Sequence, residues 1–233
     1  MKHLSRWFLS LLALSLSAAV ASAVPGRAEV KKVTGQATVS NAAGSKSVAA
    51  GMMLSAGDTI TTGRGSTVDL WLGLNGDALR VEPESTLSLD TLEITDPAQR
   101  TFTTSMSLSK GGVVGNVASK ISLASKYEVK TTRGVAGIRG TVYSLRTDGT
   151  LVVARGTVVF SFVLNGVTQQ VTVPQGQQFK PGDAAPTPAP PQVLTTINEA
   201  ATSLGGNTGV VGTDGGNVTV TDNTNPLNVS TSN

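Results

Sequence analysis

Between residues 24 and 180 the apolar side chains return at every second position, the period of strands with one buried face. Tyr127, Val129 and Thr131 alternate with Glu128, Lys130 and Thr132, and Val68, Leu70, Leu72 and Leu74 share one phase. This pattern predicts strands over residues 29–40, 59–62, 67–74, 78–82, 86–94, 102–109, 113–117, 127–132, 142–145 and 151–153. Another β-rich stretch follows at 158–177. Asn75-Gly76 and Asp148-Gly149 stand between β-rich runs and predict tight hairpin turns, because glycine takes positive φ without steric cost. Residues 133–141 carry Gly134, Gly137 and Gly140, which predict a sharp bend or bulge. No proline falls between Pro97 and Pro174, so a hydrogen-bonded sheet is unobstructed there. The predicted fold is all-β: an antiparallel β-sandwich or a short β-solenoid-like domain.

Arg139-Gly140-Thr141-Val142 recurs as Arg155-Gly156-Thr157-Val158, with a looser copy at Arg64-Gly65-Ser66-Thr67-Val68. A repeated strand entry, with glycine making the turn and Thr-Val starting the strand, is favoured over a repeated binding element.

The flanks differ from this body. Lys2 and Arg6, an apolar run over 7–20 and Ala21-Ser22-Ala23 have the layout of a secretory leader. Cleavage near Ala23 is expected to leave an exported protein, periplasmic or extracellular, with no transmembrane anchor. Residues 181–192 read as an extended Pro/Ala linker. Val193, Ile197, Ala201 and Leu204 share one helical face over 193–204, with Gly205-Gly206 as a stop. Residues 207–233 form a Gly/Asn/Thr-rich tail.

The formal charge of +3 falls to +1 once Lys2 and Arg6 are removed. Asp183, Glu199, Asp214 and Asp222 are the only charges after Lys180, which leaves the body at +5. The basic residues are scattered and aromatics make up only 4% of the chain, so nucleic acid is not an expected partner. There is no cysteine, and the only histidine is His3. Nucleophilic catalysis through a thiol or a histidine base is thereby excluded, as are metal sites built on thiolate or imidazole. Glu82, Glu84 and Asp90 are the nearest approach to a carboxylate pair but read as surface groups. Residues 213–217 hold only a fragment of a calcium loop, and Asn217 and Asn228 begin glycosylation sequons. No cofactor, no metal and no enzymatic activity are expected.

Three residues stand out as candidate contacts. Arg133 and Arg139 flank the glycine-rich segment and suit bidentate contact with a carboxylate or phosphate. The competing reading pairs them internally with Glu128 or Asp148, to pin the bend. Trp71 is opposite in phase to Leu70 and Leu72, so it is either an exposed ligand platform or part of a strand buried on both faces.

The run YEVKTTRGVAGIRGTVYSL at 127–145, the segment GDTITTGRGSTVDL at 57–70 and residues 158–177 together resemble the FecR domain, over roughly 29–181. The resemblance implies a β domain of a protein that couples an outer-membrane iron-siderophore receptor to a sigma factor. Such proteins join a cytoplasmic segment and a membrane helix to this domain in the periplasm. Here a leader stands in their place, so direct contact with a sigma factor is not expected. The leading expectation is an exported, non-enzymatic FecR-domain module for binding or signalling that recognises an envelope protein or polysaccharide. The alternative is a surface or matrix protein that self-associates, its tail adding a strand to a neighbour's open sheet edge.

Overall fold

The computed structural model describes residues 23–99, 101–117 and 122–205. Apart from Ala23, the expected leader lies outside the described residues. So do the tail, the calcium-loop fragment and both sequons.

Seventeen strands and one helix are described. The first nine strands are β1 (Val24–Pro25), β2 (Ala28–Thr34), β3 (Ala37–Asn41), β4 (Gly44–Ser47), β5 (Met53–Leu54), β6 (Thr59–Thr62), β7 (Thr67–Gly73), β8 (Asp77–Val81) and β9 (Thr86–Asp96). Then come β10 (Thr101–Lys110), β11 (Gly112–Asn116), β12 (Lys126–Lys130), β13 (Gly134–Arg146) and β14 (Leu151–Leu164). The last elements are β15 (Val167–Pro174), β16 (Gln177–Phe179), β17 (Thr187–Pro188) and helix α1 (Pro191–Ser203).

The pairings form a curled sheet with two arms. One arm runs β4-β3-β6-β9-β10-β12. The other runs β5-β2-β7-β8-β11. Both arms end on β13, which pairs with β12 along its first half and with β11 along its second. On its far side β13 pairs with β14 throughout, and β14 carries β15 and β16 on its outer edge. The all-β expectation therefore holds, in the form of one curled sheet. It needs one amendment, because β10 and β12 are parallel.

The glycine-rich segment is not a loop between strands. It lies inside β13, a single strand of 13 residues. Two residues, Gly140 and Thr141, stand opposite the single Gly156, and both glycines have positive φ (59° and 84°). The two Arg-Gly-Thr copies thus meet as facing bulges that bend β13 and β14 at one level, where the chain passes from one arm to the other. Thr141, fully buried, donates its hydroxyl to the Arg139 and Thr157 carbonyls at 2.7 and 3.1 Å. The strand-entry reading holds only for the third copy, where Gly65 (φ 65°) turns the chain into β7.

Alternation decides what fills the space between the arms. Val30, Leu70, Leu79, Leu89, Met106, Val129, Ile138, Val153 and Phe160 all point inward and are buried. Tyr127 and Tyr143 lie among them, each ring laid over a glycine. A Cβ on Gly76 would sit 2.4 Å from the Tyr127 ring, and one on Gly115 would sit 2.3 Å from that of Tyr143. Burial raises both phenol pKa values.

A second, smaller core lies on the outside of the sheet. Val114, Val142, Val152 and Ala154 on β11, β13 and β14 pack against Ala189, Ile197 and Ala201. The helix begins two residues before the predicted 193–204. Its docked stripe is Leu194, Ile197 and Ala201, whereas Val193 is exposed. A 13-residue helix is marginal alone in water, so this apolar contact is what keeps it folded. The Pro/Ala run before it is held to the sheet, with β17 paired to β16 and the Ala189 N–H donating to the Gly176 carbonyl at 2.9 Å.

Candidate binding surface

The outer face of the second arm is divided by one ion pair. Asp69 and Arg80 are cross-strand partners on β7 and β8, and Asp69 is almost wholly buried. Arg80 donates from Nε and Nη2 to the two Asp69 carboxylate oxygens at 2.6 and 2.7 Å, a bidentate fork. Nη2 also donates to Ser203 Oγ at 2.9 Å, tying down the end of α1. The Asp69 hydrogen bond outweighs desolvation and pushes the Arg80 pKa further up. To one side of this clamp the helix covers the sheet. To the other side the face is open.

The open part is set by register. Met53, Glu29, Trp71 and Ala78 are neighbours across β5, β2, β7 and β8. Their sequence neighbours Leu54, Ala28, Leu70 and Leu79 point into the core, so these four point out. Ala78 is buried, whereas Trp71 and Met53 are 36% and 49% exposed. Glu29 and Lys31 pair at 2.7 Å beside them. Met53 also lines a shallow open cleft of about 470 Å³, with Asn41, Lys46, Ser55 and Asp58. Asp58 is committed to structure there, accepting from Asn41 Nδ2 at 2.6 Å and from the Ser55 N–H at 2.8 Å.

Of the two readings of Trp71, the exposed one matches its position. The strand is covered on its inner face, and its outer face is buried only at Asp69. The arginines do not form a pair. Arg133 precedes β13 and Arg139 lies within it, six positions on, a separation of about 20 Å along an extended chain. Neither is held by the carboxylates proposed for them. Glu128 pairs with Lys126 at 3.0 Å and Asp148 with Lys180 at 2.9 Å. Arg139 instead donates from Nη2 to the Ser122 carbonyl. Arg133 sits at a corner where its Cβ approaches Gly149 and Thr132 Oγ1 donates to the Thr147 carbonyl at 2.9 Å. At this corner desolvation opposes ionisation of Asp148. The Lys180 ammonium and the Thr150 N–H outweigh it and lower the Asp148 pKa to about 2.

Glu82, Glu84 and Asp90 share no cleft. Glu82 lies 3.5 Å from Arg146 and its pKa is raised by burial, Glu84 is exposed, and Asp90 bonds Lys130 and Ser107 on the outer surface. Among the described residues no three His, Cys, Asp or Glu side chains cluster as a metal site would require. No described helix is long and apolar enough to cross a membrane. The role of Met53 was missed by sequence reasoning. Its strand has only two residues, too short to show a period.

A family model described as FecR protein matches residues 58–159. Two crystal structures of a candidate anti-sigma factor from Parabacteroides distasonis, at 1.65 and 2.50 Å resolution, are similar at 13% identity and a TM-score of 0.44. Each alignment covers 59% of this chain and 62% of that one, so the likeness spans less than two thirds of either. No curated protein matches the chain.

Proposed function

We propose, from the match of residues 58–159 to the FecR family, that the protein is an exported, non-enzymatic module for binding and signalling. It recognises an envelope protein or polysaccharide through the open outer face around Trp71. The observation that carries this reading is the placement of Trp71: an indole on a sheet, one-third exposed, with Met53 across β2 and the Glu29–Lys31 pair alongside. Such a ring has little conformational freedom to lose on binding and offers both an apolar face and an N–H donor. Export is supported by the leader-like composition of residues 1–23. The non-enzymatic reading is supported by the sequence from residue 4 onward, which has neither thiol nor imidazole. Arg133 and Arg139, on a different part of the surface, are secondary contacts for an acidic partner.

The chain has two tryptophans, Trp7 and Trp71. Once the leader is removed, Trp71 is the only one, and its fluorescence reports directly on this face. Titration with solubilised envelope protein and with envelope polysaccharide is expected to shift or quench that emission with one of the two. Trp71→Ala is expected to weaken capture of the same fraction about tenfold, the loss of ~1.4 kcal/mol common for an exposed aromatic contact. Unchanged capture by the folded variant would remove this face from the reading.

A further inference from the structure

Strand β15 differs from every other free edge among the described residues. It has eight residues, pairs only with β14, and reads VTQQVTVP with no charge. The other edges are guarded in the ways natural sheets use. Strands β1, β5 and β17 have two residues each, β4 has four including Lys46, and the outer half of β2 carries Lys31 and Lys32. Beside β15 the hairpin leaves Val163 and Val167 more than half exposed.

We propose that β15 pairs antiparallel with β15 of a second copy of this chain, joining two sheets across a two-fold axis at Gln170. The register follows from the hairpin. Asn165 and Gly166 (φ 53° and 78°) form a two-residue turn, which makes Leu164 and Val167 a hydrogen-bonded pair. Val167, Gln169, Val171 and Val173 therefore spend their N–H and C=O groups on β14, and Thr168, Gln170 and Thr172 direct theirs to the open edge. A two-fold axis at Gln170 sets Gln170 against Gln170 and Thr168 against Thr172. All three edge-facing residues then exchange hydrogen bonds with edge-facing partners. Pro174 falls in the same phase and has no N–H, so it ends the ladder where the two-fold pairing ends. No charge opposes a like charge in this register, and Val167 meets Val173 on the core side. Gln170 also fits the outer surface, donating from Nε2 to Ser161 Oγ at 3.1 Å. An isologous pair of this kind closes as a dimer rather than a fibre, because it uses the only long free edge among the described residues of each copy.

The test is sedimentation of the full chain from micromolar to near-millimolar concentration, with Gln170→Lys and Gln170→Glu alone and mixed one to one. Both substitutions are at an exposed position and keep the fold. The expected result is a wild-type monomer–dimer equilibrium, weakened about fivefold or more in each single variant because two like charges then face each other. An equimolar mixture, with opposite charges facing, is expected to recover dimer. A wild-type chain that stays monomeric across the range overturns the proposal, as do single variants that dimerise like wild type. Loss of the dimer on truncation after Gly205 also overturns it, since the added strand would then come from the tail.

Discussion

Gly115 on β11 tests how closely the core is packed. Its Cα lies under the ring of Tyr143, which is fully buried, and an added Cβ would sit 2.3, 2.4 and 2.6 Å from ring atoms Cε1, Cζ and Oη. Unlike many glycines in this chain, Gly115 does not have positive φ. The backbone therefore accepts alanine, and steric crowding is the only penalty. Replacing glycine by alanine in a strand otherwise gains roughly 0.5–1 kcal/mol of backbone entropy. Overpacking a well-filled core costs about 1–3 kcal/mol. Tyr143 is fully buried with Tyr127 beside it, so the upper part of that range applies. Gly115→Ala is expected to lose about 2 kcal/mol, a fall in Tm of roughly 4–8 °C for a domain of this size. Gly137→Ala is the control: its nearest outside atom is the Val159 carbonyl oxygen at 3.6 Å, ordinary contact, and the change should be neutral or mildly stabilising. Urea unfolding of the two variants, with m unchanged, gives the comparison. Equal stability of Gly115→Ala and wild type would show that the Tyr143 ring is not confined as described.

Two further expectations concern charge. Arg80→Ala leaves the Asp69 carboxylate buried without its partner and should cost about 3 kcal/mol, whereas Arg80→Met with Asp69→Leu should recover most of it; chemical denaturation measures both. In the Arg80→Ala variant, amide exchange of α1 should also speed up, since the Ser203 contact goes with the guanidinium. Asp148 is held at a pKa of about 2 against an ordinary 3.8. Its stabilising contribution is therefore present above about pH 4 and is lost as the pH falls towards 2. Asp148→Asn should be less stable than wild type at pH 5, with the gap closing by pH 2, and thermal melts across that range check the sign.

Period-2 alternation was enough to read most of the longer strands and the face each one buries, since it depends only on the pleat, but not the two-residue β5 or the glycine-rich first half of β13. Asn75-Gly76 and Asp148-Gly149 were legible because local turn chemistry fixes them. Pairing between distant strands was not legible. The parallel contact of β10 with β12 depends on β11 departing to the other arm, which no local pattern records. The three glycines at 134, 137 and 140 signalled a departure from regular strand. Only the opposed Gly156, sixteen residues on, shows that the departure is a bend shared by two neighbours. The phase of Trp71 placed it outward, but whether it was covered depended on where α1 docks. The helix register slipped because Leu194, rather than Val193, meets the valines of the sheet. Arg133 and Arg139 looked like one site because they are close in sequence, yet an extended strand carries them apart.

The bent pair β13–β14 has a consequence for how the chain assembles. Both arms precede it in sequence, and among the described strands only β13 pairs with both, with β14 on its far side. A chain that emerges from its N-terminus therefore makes the two halves before the strands that bind them together, and until Leu164 has appeared neither half can bury its apolar face against the other. The β13–β14 hairpin closes across the five residues between Leu145 and Leu151, whereas the contacts it collects span most of the domain. Such an order delays non-local closure to the last step. It also leaves the valine- and leucine-rich inner faces exposed while the rest is delivered, the interval in which a β protein most needs a holding chaperone.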